Sequence, residues 1–394
     1  MKPGMARIVL HKHREERLLA GHPWIYRSEI QRVEGEVSAG DVVQVLDARG
    51  KFLGRAHLNM NCQIAGRILS RQDEPVGTEF WHRRIQEALV RRARWAPGAE
   101  ACRLVYGEAD GLPGLIVDRY GAVLVLQALT AGMERATPHL VPALAALAAP
   151  QAIFARNDPP PRRLEGLEQR KGFILGRVEP PLWVRAGAVE MQVDVENGQK
   201  TGLFLDQREN WQAVKGLAAG RTVLDAFCYT GGFGMHAAAG GAASVWGIDL
   251  SAAAVEQAGR NAERNGVAGV CAFRAGNAFD ELHAMDREGK AFDMVVLDPP
   301  AFTKARDRVD SALRGYKEIN LRALKILRTG GILVTCSCSY HVDRETFLET
   351  LHRAAADAGR TAHLLELRTQ ARDHPVLLGV RETQYLKCAI LEVL

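Results

Sequence analysis

Hydrophobic and polar positions alternate with a period of two from Asp41 to Asn59, reading VVQVL and then KFLGRAHL around the turn Asp47-Ala48-Arg49-Gly50. That is the pattern of a β-hairpin with one buried face, and it predicts a small, mostly β module over residues 1–76. At Thr78, which reads as an N-cap, the period changes. Trp81, Ile85, Ala88 and Leu89 fall on one face, with Arg83, Arg84, Arg91, Arg92 and Arg94 largely around it, so an amphipathic, basic helix is expected. From Ala101 the chain mixes strand-like runs (GLIVDRYG, AVLVLQAL) with a helix near Pro138 to Ala148, followed by Asp158-Pro-Pro-Pro-Arg-Arg. Residues 77–190 thus read as a linker helix and a central α/β domain. Over residues 191–394, after MQVDV, strands and helices alternate: RTVLDA, a helix from Gly234, SVWGID, a helix from Ser251, VCAF, a helix from Asn277, DMVVLD, a long helix near Ser311 to Leu327, and GILVTC. Strands separated by helices predict an α/β fold built on a parallel, doubly wound sheet.

Composition narrows the class. The chain has 394 residues, 47% of them hydrophobic and 25% charged, ordinary globular values that allow two or three domains. The longest apolar candidate for a membrane helix, around Leu140 to Ala149, is short and punctuated by proline. The start, MKPGMARIVLHKHREER, carries charge with no apolar segment behind it, so no secretory signal is read and a cytoplasmic location is expected. Seven cysteines, odd in number and without a CxxC pair, support neither a disulfide scaffold nor a zinc site. The net charge of +5 is concentrated: residues 1–100 hold 17 Lys and Arg against 12 Asp and Glu, while the remainder balances at 34 against 34. The basic front and its helix read equally as a solvated surface and as a nucleic-acid-facing module.

In a doubly wound sheet the ligand lies outside the carboxyl ends of the strands, and Asp225, Asp249, Asp298 and the Cys336–Cys338 segment fall at those ends. Gly231, Gly232 and Gly234 let backbone approach a ligand closely. Asp249, 18 residues after Gly231, suits a ribose diol. Gly232-Phe-Gly234-Met-His-Ala237 fits the GxGxxA fingerprint, which alone denotes a nucleoside cofactor or an ordinary tight turn. The later strand ends decide between cofactors. Asp298-Pro299-Pro300 closes a strand expected beside the one leading to Cys338, so a base could meet a carboxylate and a thiol together. Carbon 5 of cytosine becomes nucleophilic once a thiolate adds to carbon 6, and S-adenosylmethionine would supply the methyl group. Asp298 would bond the ring's nitrogen edge as charge develops. Against this, a strand-end cysteine is commonly a small core residue, and Asp298 could cap the next segment. Cys336 lies two residues before Cys338 on the same face, and pattern does not choose between them. Cys228 reads as loop packing.

Several segments in order, HPWIYRSEI (His22 to Ile30), DGLPGLIVDRYG (Asp110 to Gly121), NGQKTGLFLDQREN (Asn197 to Asn210), AFCYTGGFG, LDPPAF, RGYKEIN (Arg314 to Asn320), GGILVTCSCS and DHPV (Asp373 to Val376), make the chain resemble the bacterial 23S ribosomal RNA cytosine-5 methyltransferases of the large-subunit methyltransferase I type. The resemblance spans nearly the whole chain. It implies an α/β class I methyltransferase, a Rossmann-like doubly wound sheet, with an N-terminal β-rich PUA domain and a central α+β domain, often as a homodimer. It also implies large-subunit ribosomal RNA as partner and S-adenosyl-L-methionine as cofactor. By position, Cys338 matches the nucleophile, while the catalytic role of Asp298 is read from its place beside that thiol. Gln199, Thr201, Gln207, Asp225, Phe227, Tyr229, Thr230, Gly231, Gly232, Asp249, Leu250, Asn277, Ala278, Asp298 and Pro299 match positions around the cofactor. Relatives with another residue in place of Cys336 imply packing there. Two departures stand out: Asn277 occupies a position often acidic in methyltransferases, and the Pro-Pro segment lacks the second cysteine that some RNA cytosine methyltransferases use for product release.

Two other readings remain at the level of sequence. Asp-Pro-Pro followed by an aromatic residue, here Phe302 after Ala301, also suits methylation of an exocyclic amine of adenine or guanine, which needs no thiol. A non-catalytic RNA-binding assembly protein is the alternative of another class.

Overall fold

The period-two segment forms the expected hairpin, with Asp41–Leu46 antiparallel to Phe52–Leu58. Its turn closes because the Asp47 carboxylate accepts from the backbone N–H groups of Arg49 and Lys51, both at 2.8 Å, while Gly50 takes a φ of +82° that glycine adopts without penalty. The computed structural model describes residues 5–303 and 308–394; residues 1–4, the start of the segment read for a signal, lie outside that description. The chain divides into two compact units. The first comprises the residues up to Leu182 with Val193–Leu203 and Arg372–Thr383, the second Trp183–Gln192, Phe204–Ala371 and Gln384–Leu394.

Two sheets build the first unit. Six strands run in the order Trp24–Tyr26, Ile64–Ser70, Phe52–Leu58, Asp41–Leu46, Arg7–Leu10 and Ile30–Glu34, packing Ile8, Leu10, Ile25, Val43, Val45 and Leu58 into one core. Five more, Ala101–Tyr106, Leu115–Tyr120, Val123–Ala128, Ala152–Asn157 and Arg170–Leu175, lie in consecutive order. They share a core with helices Thr78–Trp95 and Ala131–Ala148.

The Thr78–Trp95 helix corrects two expectations. Its N-cap is Gly77 rather than Thr78, because the Thr78 hydroxyl is engaged with His139 Nδ1 at 3.0 Å. Arg92, placed by pattern on the basic flank, is buried and makes a bidentate pair with Asp110, which Arg91 also reaches; Arg83 and Arg84 pair with Glu74 and Glu87. An inward guanidinium follows from the fully desolvated Asp110 carboxylate, which demands donors. Much of the helix's positive charge is therefore neutralised within the unit. The second helix starts at Ala131, well before Pro138, because Thr130 caps it by accepting from Met133 N.

Within this unit Asp118 organises a buried network. Its carboxylate accepts from Arg103 Nε and Nη2 at 2.8 Å each and from the Thr201 hydroxyl at 2.7 Å. Tyr120 donates to Thr201 and accepts from Leu203 N, which ties the Val193–Leu203 segment down.

The second unit holds a seven-stranded sheet in the order Cys271–Ala275, Ser244–Asp249, Thr222–Ala226, Phe292–Leu297, Leu327–Ser337, Lys387–Val393, Ala362–Arg368. In chain order this is third, second, first, fourth, fifth, seventh, sixth. The first five strands are parallel, as the alternating pattern predicts. Lys387–Val393 is antiparallel to both neighbours, so the sheet is mixed. The order reverses at Thr222–Ala226, which defines the switch point. Helix Val309–Ile326 covers the sheet with Tyr316, Ile319, Ala323 and Leu324 buried among Leu224, Val295, Leu297 and Leu333. Among the described residues no helix is long and apolar enough to cross a membrane.

Asp118→Ala is expected to cost about 3–5 kcal/mol, because it removes the buried carboxylate that accepts from both Arg103 and Thr201. The check is the urea midpoint of the first unit's unfolding transition; a shift corresponding to less than about 1 kcal/mol, the worth of an exposed pair, would contradict the network's role.

Candidate active site

The parallel register places Leu297 opposite Thr335, so Asp298 and the residues after Ser337 leave the sheet side by side. The Cys338 sulfur lies 4.0 Å from the Pro299 carbonyl oxygen. Cys338 is past the end of its strand and half-buried, so strand alternation does not carry from Cys336 to it. Cys336 is fully buried, faces Cys388 on the neighbouring strand, and its thiol is pushed well above the ordinary value by burial and by Cys388. The two cysteines that pattern left equivalent differ in environment, Cys336 sealed and held in its thiol form and Cys338 half-buried beyond the strand end.

Two groups hold the Cys338 segment. Lys387 Nζ donates to the carbonyls of Ser339 and Val342, each at 2.8 Å, and of Tyr385 at 2.9 Å. Burial pushes its ammonium down to about 8, against the opposing pull of Cys338 and Asp343. Tyr316, from the Val309–Ile326 helix, bonds the Ser339 hydroxyl at 2.9 Å. In the sequence Tyr316 is visible only as part of the RGYKEIN motif, with no role of its own, and Lys387 lies in a strand with no local signal at all.

At the switch point, the loop after Asp225 turns sharply. Phe227 and Tyr229 have φ of 67° and 49°, and Gly231 has 85°; two non-glycine residues in the left-handed region mark a loop held in place by its surroundings. A Cβ on Gly232 would sit 2.8 Å from the Trp211 indole, so helix and loop require glycine there. Asp249 pins this turn: one carboxylate oxygen accepts from Tyr229 N at 2.8 Å, the other from Ser251 N at 2.9 Å, leaving each oxygen a further lone pair. Asp225 Oδ2 accepts from Gly234 N at 2.8 Å. Its Oδ1 is buried with no hydrogen-bond partner among the described residues. Burial raises this carboxyl to about 8, opposed by the Gly234 N–H and reinforced by Asp298 and Asp249. Asn277 caps the following helix through Oδ1, accepting from Phe279 N, which leaves its NH2 outward. Leu250 is 79% exposed, while Thr230, Ala278 and Pro299 are buried.

Phe227, Tyr229, Thr230, Gly231, Gly232, Asp225, Asp249, Leu250, Asn277, Ala278, Asp298 and Pro299 thus all lie on the carboxyl-end side of one sheet. Gln207 joins them, donating to Asp298 Oδ1 at 2.9 Å. Gln199 and Thr201 belong to the first unit, and the Thr201 hydroxyl is already engaged by Asp118 and Tyr120. An orphaned buried carboxylate oxygen, a glycine cradle and a diol-ready acid fit a cationic nucleoside cofactor. Among the described residues no cluster suits a metal ion.

Residues 176–377 match the family described as S-adenosylmethionine-dependent methyltransferase, and residues 8–71 match the PUA-like domain. The chain belongs to this S-adenosylmethionine-dependent methyltransferase family, and S-adenosylmethionine is its cofactor. More particularly, it belongs with relatives named Ribosomal RNA large subunit methyltransferase I: it is 39% identical to that of Erwinia tasmaniensis over 97% of this chain and 98% of the relative, and 41% identical to that of Aeromonas hydrophila over 97% and 98%. Among solved structures, a methyltransferase complexed with SAH aligns at TM-score 0.84 with 20% identity over 98% of this chain and 99% of the other. An S-adenosylmethionine-dependent methyltransferase from Streptococcus mutans aligns at 0.82 with 20% identity over the same shares. Both likenesses concern the fold.

Under native conditions iodoacetamide is expected to modify Cys338 first. The other half-buried thiol, Cys271, is pushed up to about 11 by burial and Asp225, and the remaining five cysteines are buried. Peptide mass spectrometry over a time course checks this; labelling of Cys336 as fast as Cys338 would contradict the contrast drawn between them.

Proposed function

We propose that this protein methylates carbon 5 of a cytidine in large-subunit ribosomal RNA. The observation that carries the reading is the half-buried Cys338 thiol beside Asp298-Pro299, on a segment held by Lys387 and Tyr316. The relatives' name supports ribosomal RNA as substrate, and the PUA-like match over residues 8–71 supports an RNA-positioning role for the front of the chain. A cytidine inside a helix would be flipped out to reach the site.

When bound, S-adenosylmethionine supplies an electrophilic methyl group on a sulfonium. Cys338, as thiolate, adds to carbon 6, and the displaced electron pair makes carbon 5 nucleophilic. Asp298 bonds the nitrogen edge of the ring and stabilises the charge that gathers there. Carbon 5 takes the methyl group as the methyl's bond to the sulfonium sulfur breaks, leaving the thioether S-adenosylhomocysteine. Passage of the carbon 5 proton to water then returns its electron pair to the ring as the bond from carbon 6 to sulfur breaks, which regenerates the thiolate. In the same reading Asp249 takes the ribose diol, the Asn277 amide and the exposed Leu250 meet the adenine, and Asp225 faces the donor's positive charge. The competing reading, exocyclic-amine methylation, draws on Phe302 beside the Asp-Pro-Pro segment, 4.6 Å from the Tyr316 ring, but leaves the Cys338 thiol without a use.

Nucleoside mass spectrometry of unmodified ribosomal RNA after incubation with S-adenosylmethionine is expected to show 5-methylcytidine with wild type and Cys336→Ala, and none with Cys338→Ala. Methylated adenosine or guanosine that persists in Cys338→Ala would overturn the thiol mechanism.

Asp225, largely protonated at pH 7 when free, is expected to release a proton as the cationic cofactor binds. The sign comes from a pKa that starts at about 8 and falls on binding, so affinity rises with pH up to about 8, by at most roughly tenfold per unit. Calorimetry in two buffers of different ionisation enthalpy measures the release. A binding enthalpy independent of buffer would contradict this role for Asp225.

A further inference from the structure

Gln207, on the carboxyl-end side of the sheet, has both ends of its amide hydrogen-bonded to other side chains. Nε2 donates to Asp298 Oδ1 at 2.9 Å, while Oε1 accepts from Asn210 Nδ2 at 2.6 Å. Asn210 Oδ1 in turn accepts from Arg368 Nε at 2.9 Å, and its Nδ2 also reaches the Thr369 carbonyl at 3.3 Å. Both amides are buried, Gln207 at 2% and Asn210 at 1% exposure. They stand three residues apart at the start of the Arg208–Leu217 helix, so they share a face. Arg368 ends the Ala362–Arg368 strand and is itself fixed on Glu366 and the Glu209 carbonyl.

A side-chain amide turned end for end occupies nearly the same space, so packing alone does not decide which end faces a neighbour. A guanidinium does decide, because it has five donors and no acceptor. The Asn210 oxygen must face Arg368, its NH2 must face Gln207, the Gln207 oxygen must accept, and the Gln207 NH2 is left pointing at Asp298. We propose that Arg368, acting through Asn210 and Gln207, is a positioning residue that holds Asp298 as an oriented hydrogen-bond acceptor through Oδ1. Reversal of the relay would aim a carbonyl oxygen at Asp298, which would then have to carry a proton on Oδ1.

The surroundings make this polarity consequential. Asp298 and Asp249 each act electrostatically on Asp225, and Asp298 acts on Cys336. In such company a donor aimed at the carboxylate and an acceptor aimed at it have opposite consequences for its proton. The relay rests on the reading of Asp298 as the acid that faces the base.

The test compares Arg368→Lys, which can only donate, with Arg368→Gln, which can present either end of an amide. Aspartate-labelled full-length protein is titrated by 13C carboxyl NMR, with Asp298→Asn to assign the resonance, and kcat is followed against pH at saturating RNA and S-adenosylmethionine. Arg368→Gln is expected to raise the Asp298 midpoint by roughly one pH unit and, because an acid acts in its protonated form, to move the basic limb of kcat upward with it, the size of one lost hydrogen bond to a carboxylate. Arg368→Lys is expected to return both to the wild-type position. Coincident midpoints in wild type and Arg368→Gln, or equal displacement in Arg368→Lys, would overturn the relay. The reading of the reaction fails separately: it is decided by the methylated nucleoside that wild type produces, while the NMR midpoint is measured whatever that product is.

Discussion

The parallel pairing of Phe292–Leu297 with Leu327–Ser337 is the constraint on which the site depends. Because Leu297 lies opposite Thr335, the carboxylate that follows one strand and the thiol that follows the other are delivered to the same edge by residues far apart in the chain. Slipping this register by one residue would turn every side chain of the strand to the other face of the sheet. The buried run Met294–Leu297 against Ile332–Val334 forbids that slip. Core packing and chemical geometry are here one requirement.

Around that edge the protein keeps three aspartates, 225, 249 and 298, and gives each a different environment. Asp249 has both oxygens on backbone N–H groups, which hold the glycine loop in its turn. Asp225 is fully buried with one oxygen bonded and one orphaned, a costly arrangement that a cationic ligand relieves. Asp298 accepts from an amide whose own orientation is imposed from a guanidinium two links away. Backbone donors fix the first acid, burial raises the second, and an oriented amide donor meets the third.

The thiol side works by contrast in the same way. Cys336 and Cys338 are near neighbours in sequence, yet one is sealed between strands opposite Cys388 and the other emerges past the strand end onto a loop clamped by Lys387 and Tyr316. Lys387 donates to carbonyl groups next to Cys338, so the loop that carries this thiol is fixed by a buried ammonium.

Local pattern by itself determined a good deal. The hairpin at 41–59, the order of strands and helices from Thr222 to Ser337, and the placing of Asp225, Asp249, Asp298 and Cys338 at strand ends all come from periodicity, turn chemistry and glycine spacing, because these act over a few residues. The features that escaped it required partners distant in the chain. Arg92 looks solvent-facing until Asp110 is found buried beneath it; Thr78 looks like a cap until His139 takes its hydroxyl. The final antiparallel strand, the role of Lys387 within it, the contrast between Cys336 and Cys338, and the commitment of Gln207 to Asp298 were decided only by the tertiary structure. Burial and hydrogen-bond satisfaction are properties of assembled neighbours, and no short stretch of sequence contains both members of those pairs.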